Sequence, residues 1–171
     1  MTTIQTKRLS LTRIEANDKH SLVALIGDLE VSRFLSYVPH PYTEADADWW
    51  IQSVQNLPYS LNVFAAGQLV GGAGLTDQGE GKYELGYWFG KPFWGLGYAT
   101  EACVGLLGHV KKQLGDAQVF ANVYPNNLAS EAVLHKLGFA KTGVATVVNV
   151  STKEEIVANS FGARLSQLEC L

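Results

Sequence analysis

Residues 83–110 read YELGYWFGKPFWGLGYATEACVGLLGHV. Tyr83, Leu85, Tyr87 and Phe89 alternate with Lys82, Glu84, Gly86 and Trp88, the period-2 signature of a strand with two distinct faces. Pro92 and the glycines Gly95 and Gly97 stop that strand, and from there Ala99, Cys103, Leu106, Leu107 and Val110 recur at helical spacing. Such a junction leaves the first amides of a helix without intrahelical partners, and a glycine turn lets a ligand approach them. Partial positive charge and free N–H donors then favour an anion, most often phosphate. The dinucleotide-binding fingerprint fits poorly, because Thr100 stands where its third glycine would be.

Upstream of this stretch, Arg8 to Ile14 predicts a first strand, with Leu9 and Leu11 on one face. Asn17 or Asp18 can cap a helix carrying Leu22, Val23, Leu25 and Ile26. The aromatic-rich segment that follows is interrupted by Pro39 and Pro41. Thr43 with Asp46 then forms a capping-box pattern ahead of a helix through Trp49, Trp50 and Val54. Asn62–Ala66 and Gln68–Thr76 predict a hairpin closed at Gly67. Downstream, Gly115 stops the long helix and Gln118–Val123 predicts another strand. A second helix runs from Pro125-Asn126-Asn127 to Leu137 and ends at Gly138. Phe139–Val150 and Glu154–Leu165 complete the chain as two antiparallel strands. The reading is α+β: one domain over residues 1–171, on a mixed, mostly antiparallel sheet of about seven strands flanked by about four helices.

A chain of 171 residues with 47% hydrophobic and 17% charged residues carries enough apolar surface for a sizeable core. A net charge of −3 and a pI near 5.8 argue against a nucleic-acid binder. Cys103 and Cys170 lack metal-site spacing and make no disulfide framework. His20, His40, His109 and His135 are too scattered to form a ligand set, so no metal is expected. The N-terminus lacks a signal-peptide run and no stretch approaches membrane-spanning length, so a reducing cytoplasm is the expected home.

Trp94-Gly95-Leu96-Gly97-Tyr98-Ala99, following Glu84-Leu85-Gly86-Tyr87-Trp88, resembles the acetyl-CoA motif of the GNAT N-acetyltransferases in their RimJ/RimL-like branch. That motif runs Gln or Arg, two residues, Gly, one residue, then Gly or Ala. Gly97 and Ala99 match it, while Trp94 replaces the Gln or Arg and leaves backbone amides to hold a pyrophosphate. Asn127, Ser130, Lys136, Gly138 and Phe139 match the branch's second motif. The resemblance implies acetyl-CoA as co-substrate, bound through Trp88, Phe89, Gly95, Leu96, Gly97, Tyr98, Ala99, Thr100, Asn127 and Ser130. It further implies a central strand that splays and offers a backbone N–H near Trp88 or Phe89 to the thioester carbonyl. Ser130 is the implied group near the CoA sulfur, because Leu134 stands where many GNAT enzymes carry a proton-donating tyrosine. Tyr124 is a second candidate.

An amine attacks a thioester only as the free base, so such a reaction needs a proton acceptor. Glu84 shares a strand face with Gly86 and Trp88 beside the turn and, with the resemblance, becomes the expected general base. Tyr37, His40, Tyr42 and Trp49 are candidates for the acceptor wall and equally for plain packing. The acceptor stays open between a protein N-terminus, as RimJ/RimL likeness implies, and a small amine such as an aminoglycoside or polyamine. A non-catalytic acyl-CoA-binding domain is the third alternative. Neither nucleic acid nor membrane is expected as a partner, and both monomer and homodimer remain open.

Overall fold

The computed structural model describes residues 3–168. Eight strands form one sheet: β1 (Ile4–Gln5), β2 (Leu9–Thr12), β3 (Ser60–Ala65), β4 (Gln68–Asp77), β5 (Lys82–Phe89), β6 (Gln118–Val123), β7 (Ala140–Val148) and β8 (Glu155–Arg164). Their spatial order is β1-β2-β3-β4-β5-β6-β8-β7. Every neighbouring pair is antiparallel except β5–β6. A parallel pair needs a long crossover, and here it is α4 (Tyr98–Leu114). The other helices are α1 (Lys19–Ile26), α2 (Leu29–Ser32), α3 (Glu44–Ser53) and α5 (Leu128–Leu137).

The alternation in β5 sets the layering. Leu85 and Phe89 join Ala102, Cys103, Leu106, Leu107 and Val110 of α4 and Leu134 and Leu137 of α5 in the larger core. Each leucine, valine or phenylalanine among them removed from water contributes about 1.5–3 kcal/mol before entropy is counted. The opposite face carries Trp88, which packs on a second cluster built from Leu22 and Ile26 of α1, Ala47 of α3, and Leu69 of β4. Helices α1 and α3 pack against the β3–β5 side of that face, and the loop after α2 reaches the far side, where Ser36 C=O accepts from Val150 N–H.

The α+β reading holds, and so do the central strand, both of its flanking helices and the terminal hairpin. Thr43 and Asp46 form the expected capping box, with Thr43 N–H donating to Asp46 Oδ2 at 2.7 Å and Asp46 N–H donating to Thr43 Oγ1 at 3.3 Å. Two counts change. The predicted first strand at Arg8–Ile14 is the second, trimmed to Leu9–Thr12, because a turn closed by Thr6 N–H to Leu9 C=O folds Ile4 back onto Leu11. A fifth helix, the single turn α2, forms where Asp28 accepts from Glu30 N–H and caps it. Cys103 is buried in α4; Cys170 lies outside the described residues. Among the described residues, no helix is long and apolar enough to cross a membrane, and no cluster of His, Cys, Asp and Glu has the make-up of a metal site.

Candidate active site

β5 and β6 pair at only three rungs, Lys82–Gln118, Tyr83–Val119 and Glu84–Phe120. Past Glu84 they part, although β5 runs on to Phe89 and β6 to Val123. The hydrogen-bond phase of β5 shows what faces the opening. Gln78 N–H donates to Lys82 C=O and Gly90 N–H to Val70 C=O, so the even-numbered residues bond toward β4. Gln118 N–H donates to Gly81 C=O, so the odd-numbered ones face β6. The amides of Tyr87 and Phe89 therefore point into the gap. Trp88, named with Phe89 from the sequence as an amide donor, turns its N–H to β4; its indole packs against Gly72, where a Cβ would lie 2.6 Å from the Trp88 Nε1.

The glycine turn ends at the mouth of this gap. Gly95 and Gly97 have φ of +75° and +77°, a left-handed conformation that costs a side-chain-bearing residue about 1–2 kcal/mol. Nothing lies within 4 Å of where a Gly95 side chain would begin, so the backbone of the turn is open to approach. Gly97 is the N-cap of α4, which places Tyr98, Ala99 and Thr100 in the first helical turn, where amides lack internal acceptors. Trp94 folds back, its Nε1 donating to Phe89 C=O at 2.7 Å. Arg8 clamps the turn from the start of β2: Nη1 donates to Leu96 C=O at 2.9 Å and Nε to Glu101 Oε2 at 2.6 Å, with the guanidinium over the Tyr98 ring.

On the opposite face Glu84 stands at the last paired rung. Its Oε1 accepts from Asn122 Nδ2 at 3.3 Å and its Oε2 from Gln78 Nε2 at 3.4 Å. Burial raises its pKa from the ordinary glutamate value, and the bond from Asn122 opposes that rise. Ser130, in the first turn of α5, lies on the helix side. Its Oγ is 2.8 Å from the Tyr87 hydroxyl, which also donates to the Ser130 carbonyl at 3.1 Å. That bond ties α5 to the unpaired part of β5 across the opening. Burial pushes the Tyr87 phenol well above its ordinary range, so it is neutral at working pH. Asn127 caps α5, its Oδ1 accepting from Ser130 N–H at 3.2 Å.

The GNAT acetyltransferase domain family matches residues 8–140. The chain belongs to the GNAT acetyltransferases. It is accordingly an acetyl-CoA-dependent N-acetyltransferase. An uncharacterized N-acetyltransferase, p20, of Bacillus licheniformis is 30% identical over 153 residues, 84% of this chain and 85% of that protein. A putative ribosomal N-acetyltransferase, YdaF, of Bacillus subtilis is 27% identical over 150 residues, 81% of each chain. Among solved structures, Mycobacterium smegmatis RimJ in complex with a CoA disulfide superposes with a TM-score of 0.84 at 16% identity, covering 98% of this chain and 90% of that one.

The remaining expected residues of the acetyltransferase divide. Tyr37, 75% exposed, is near enough to Glu84 for the carboxylate to raise its phenol pKa, after partial burial. His40 is pinned by Ser151, whose Oγ accepts from its N–H at 3.2 Å and donates to its C=O at 3.4 Å. Tyr42 packs into the second core cluster, where burial pushes its phenol up to about 12. Trp49 is 68% exposed on α3, and nothing among its contacts ties it to Glu84. The Tyr124 hydroxyl accepts from Asn149 Nδ2 at 3.0 Å and pairs with Ser36 Oγ at 3.0 Å. It fastens the loop after α2 to the β7–β8 turn. The sequence reading missed Arg8, Tyr87, Asn122 and Ser160. A signal existed for one of them: Asn122 is a polar residue inside the apolar strand VFANV, where burial demands a partner.

Proposed function

We propose that this acetyltransferase moves the acetyl group of acetyl-CoA to the α-amine of a peptide N-terminus by direct attack. The observation that carries the reading is the unpaired edge of β5, which opens between the glycine turn and Glu84. The amides of residues 95–100 hold the pyrophosphate, and the free edge of β5 takes the pantetheine arm as an added strand would be taken. Acetyl-CoA supplies an activated acyl carbon. Glu84, through a water, takes the proton of the incoming ammonium, and the freed nitrogen forms the amide bond as the carbon–sulfur bond breaks. Phe89 N–H meets the carbonyl oxygen, and the second proton that the nitrogen loses as the amide forms passes through Ser130 to the departing sulfur. The likeness to a putative ribosomal N-acetyltransferase supports the peptide acceptor. We also read the functional unit as the whole chain, since β7 and β8 beyond residue 140 complete the same sheet.

The test is CoA release measured across peptides with free N-termini and a panel of small amines. Turnover on peptides at least tenfold above the best polyamine or aminoglycoside is expected. Preference for a small amine overturns the acceptor, and release from neither overturns the reaction.

A further inference from the structure

We infer that Asn122, locked in orientation by Ser160, is a positioning residue that aims the Glu84 carboxylate in the acetyl-transfer site; the inference rests on Glu84 acting as the base. The sheet register lines the three residues up. Glu84 on β5 is opposite Phe120 on β6, two residues before Asn122 on the same face, and Asn122 is opposite Ser160 on β8. The row crosses the sheet where β5 and β6 begin to part.

Chemistry fixes the sense of every bond in the row. A carboxylate only accepts, so Asn122 must turn its NH2 toward Glu84, 3.3 Å from Oε1. Its carbonyl oxygen then faces Ser160, which donates at 2.7 Å. Flipping the amide would set Oδ1 against Oε1 and lose the bond to Glu84, while Ser160, whose hydroxyl can also accept, would keep a partner. Ser160 thus acts on Glu84 only through Asn122. The other groups around the carboxylate are Gln78 from the turn before β5 and Tyr37 from the loop after α2. The lysine on the same strand face, Lys82, lies 3.6 Å from Glu80 Oε2.

An uncharged donor suits this position. A lysine or arginine in place of Asn122 would pull the Glu84 pKa down, weaken it as a base and repel an incoming ammonium. An apolar residue would leave burial unopposed, and the carboxylate would be protonated further up the pH scale. The amide steers the carboxylate without adding charge.

The experiment is a carbon-13 NMR titration of the Glu84 carboxyl in the full chain, run beside pH profiles of kcat/KM. Asn122→Ala should move the NMR midpoint and the acid limb upward by about one pH unit, the scale of one hydrogen bond to a charged group. Ser160→Ala should move both in the same direction by less, and the double variant should match Asn122→Ala alone. An unmoved midpoint in Asn122→Ala, or additive shifts in the double variant, overturns the inference. If Asn122→Ala does not fold, Ser160→Ala decides alone: an upward midpoint supports the relay and an unmoved one overturns it. A Glu84→Gln enzyme with parental rates sinks the base reading separately, while the NMR midpoints still report on Asn122.

Discussion

The two sides of the β5–β6 opening are held by different kinds of interaction. The cofactor side is made of backbone: a left-handed glycine turn, the first amides of α4 and the unpaired edge of β5. Arg8, bonded to Glu101 and Leu96, braces it from a distant segment. The acceptor side is made of side chains that meet from distant segments: Glu84–Asn122–Ser160 in one row, Ser36–Tyr124–Asn149 in another. A backbone site tolerates change in side chains but not in φ. A side-chain site shows the reverse. Substitutions should therefore separate the two, with affinity for acetyl-CoA lost on one side and turnover lost on the other.

The largest effect is expected at Glu84, the proposed base. Glu84→Gln keeps the shape and removes the basicity, so turnover at pH 7 should fall about 10²-fold or more. Acetyl-CoA affinity, measured by calorimetry, should barely move. The Glu84 pKa is raised, so in the parent enzyme the acid limb of the activity profile should lie at higher pH than an ordinary glutamate would give, with activity rising as the group deprotonates. The Glu84→Gln deficit should shrink at high pH, where more of the amine arrives deprotonated. A profile identical to the parent's in shape and height would assign Glu84 to structure.

Ser130 lies at the seam between the two sides, so it offers a sharper division. Ser130→Ala removes the proposed proton donor and the Tyr87 hydroxyl contact together. Turnover should fall by roughly 10- to 100-fold, below the usual upper range for acid–base catalysis because water can partly substitute. Product-burst measurements with thiol detection should show the loss in the chemical step, with cofactor still bound. Equal losses in affinity and turnover would place Ser130 on the binding side alone.

On the backbone side, Gly97→Val puts a branched side chain at φ +77°, with its Cβ 3.5 Å from Arg8 Nη2. Acetyl-CoA should bind at least about tenfold more weakly, about 1.4 kcal/mol. Turnover at saturating cofactor should stay within a few-fold. Unchanged affinity would remove the turn from the cofactor site.

The same division governs how far the sequence could be read. The backbone of the cofactor side is encoded within a few residues at a time: alternation in β5, glycines at the turn, 3.6-residue spacing in α4, Asn127 and Gly138 at the ends of α5. Those signals are local and so were legible. Arg8 meets Glu101 across 93 residues, and Asn122 meets Ser160 across 38; no period or motif in one segment announces a partner in another. β1 is two residues long and α2 a single turn, both too short to show a pattern. The acceptor wall came out mixed for a related reason. Tyr37, Tyr42 and Trp49 look alike as aromatics in a loop-rich stretch. Only packing distinguishes the tyrosine beside Glu84 from the one in the core and the tryptophan left in water.

The smallest effect on turnover, and the most useful for dividing the two sides, is expected at Tyr124. By chemistry alone Tyr124 is a fair proton donor for a thiolate, and it directly follows β6, the strand that borders the opening. It is 8% exposed, however, with its hydroxyl 3.0 Å from Ser36 Oγ and from Asn149 Nδ2 and its ring edge-on to Phe34. Asn149 in turn accepts from Ser151 and Thr152 N–H, so the group organises the β7–β8 turn. Tyr124→Phe preserves the ring contact and strands the buried Asn149 amide, which should cost about 1–3 kcal/mol of stability, read as a lowered denaturation midpoint. Turnover below that transition should change by no more than a few-fold. The Ser130→Ala variant should do the opposite, losing turnover with little change in the midpoint. If Tyr124→Phe abolishes turnover while Ser130→Ala does not, the proton reaches sulfur from the acceptor side, and the separation of the two sides fails at the thiolate.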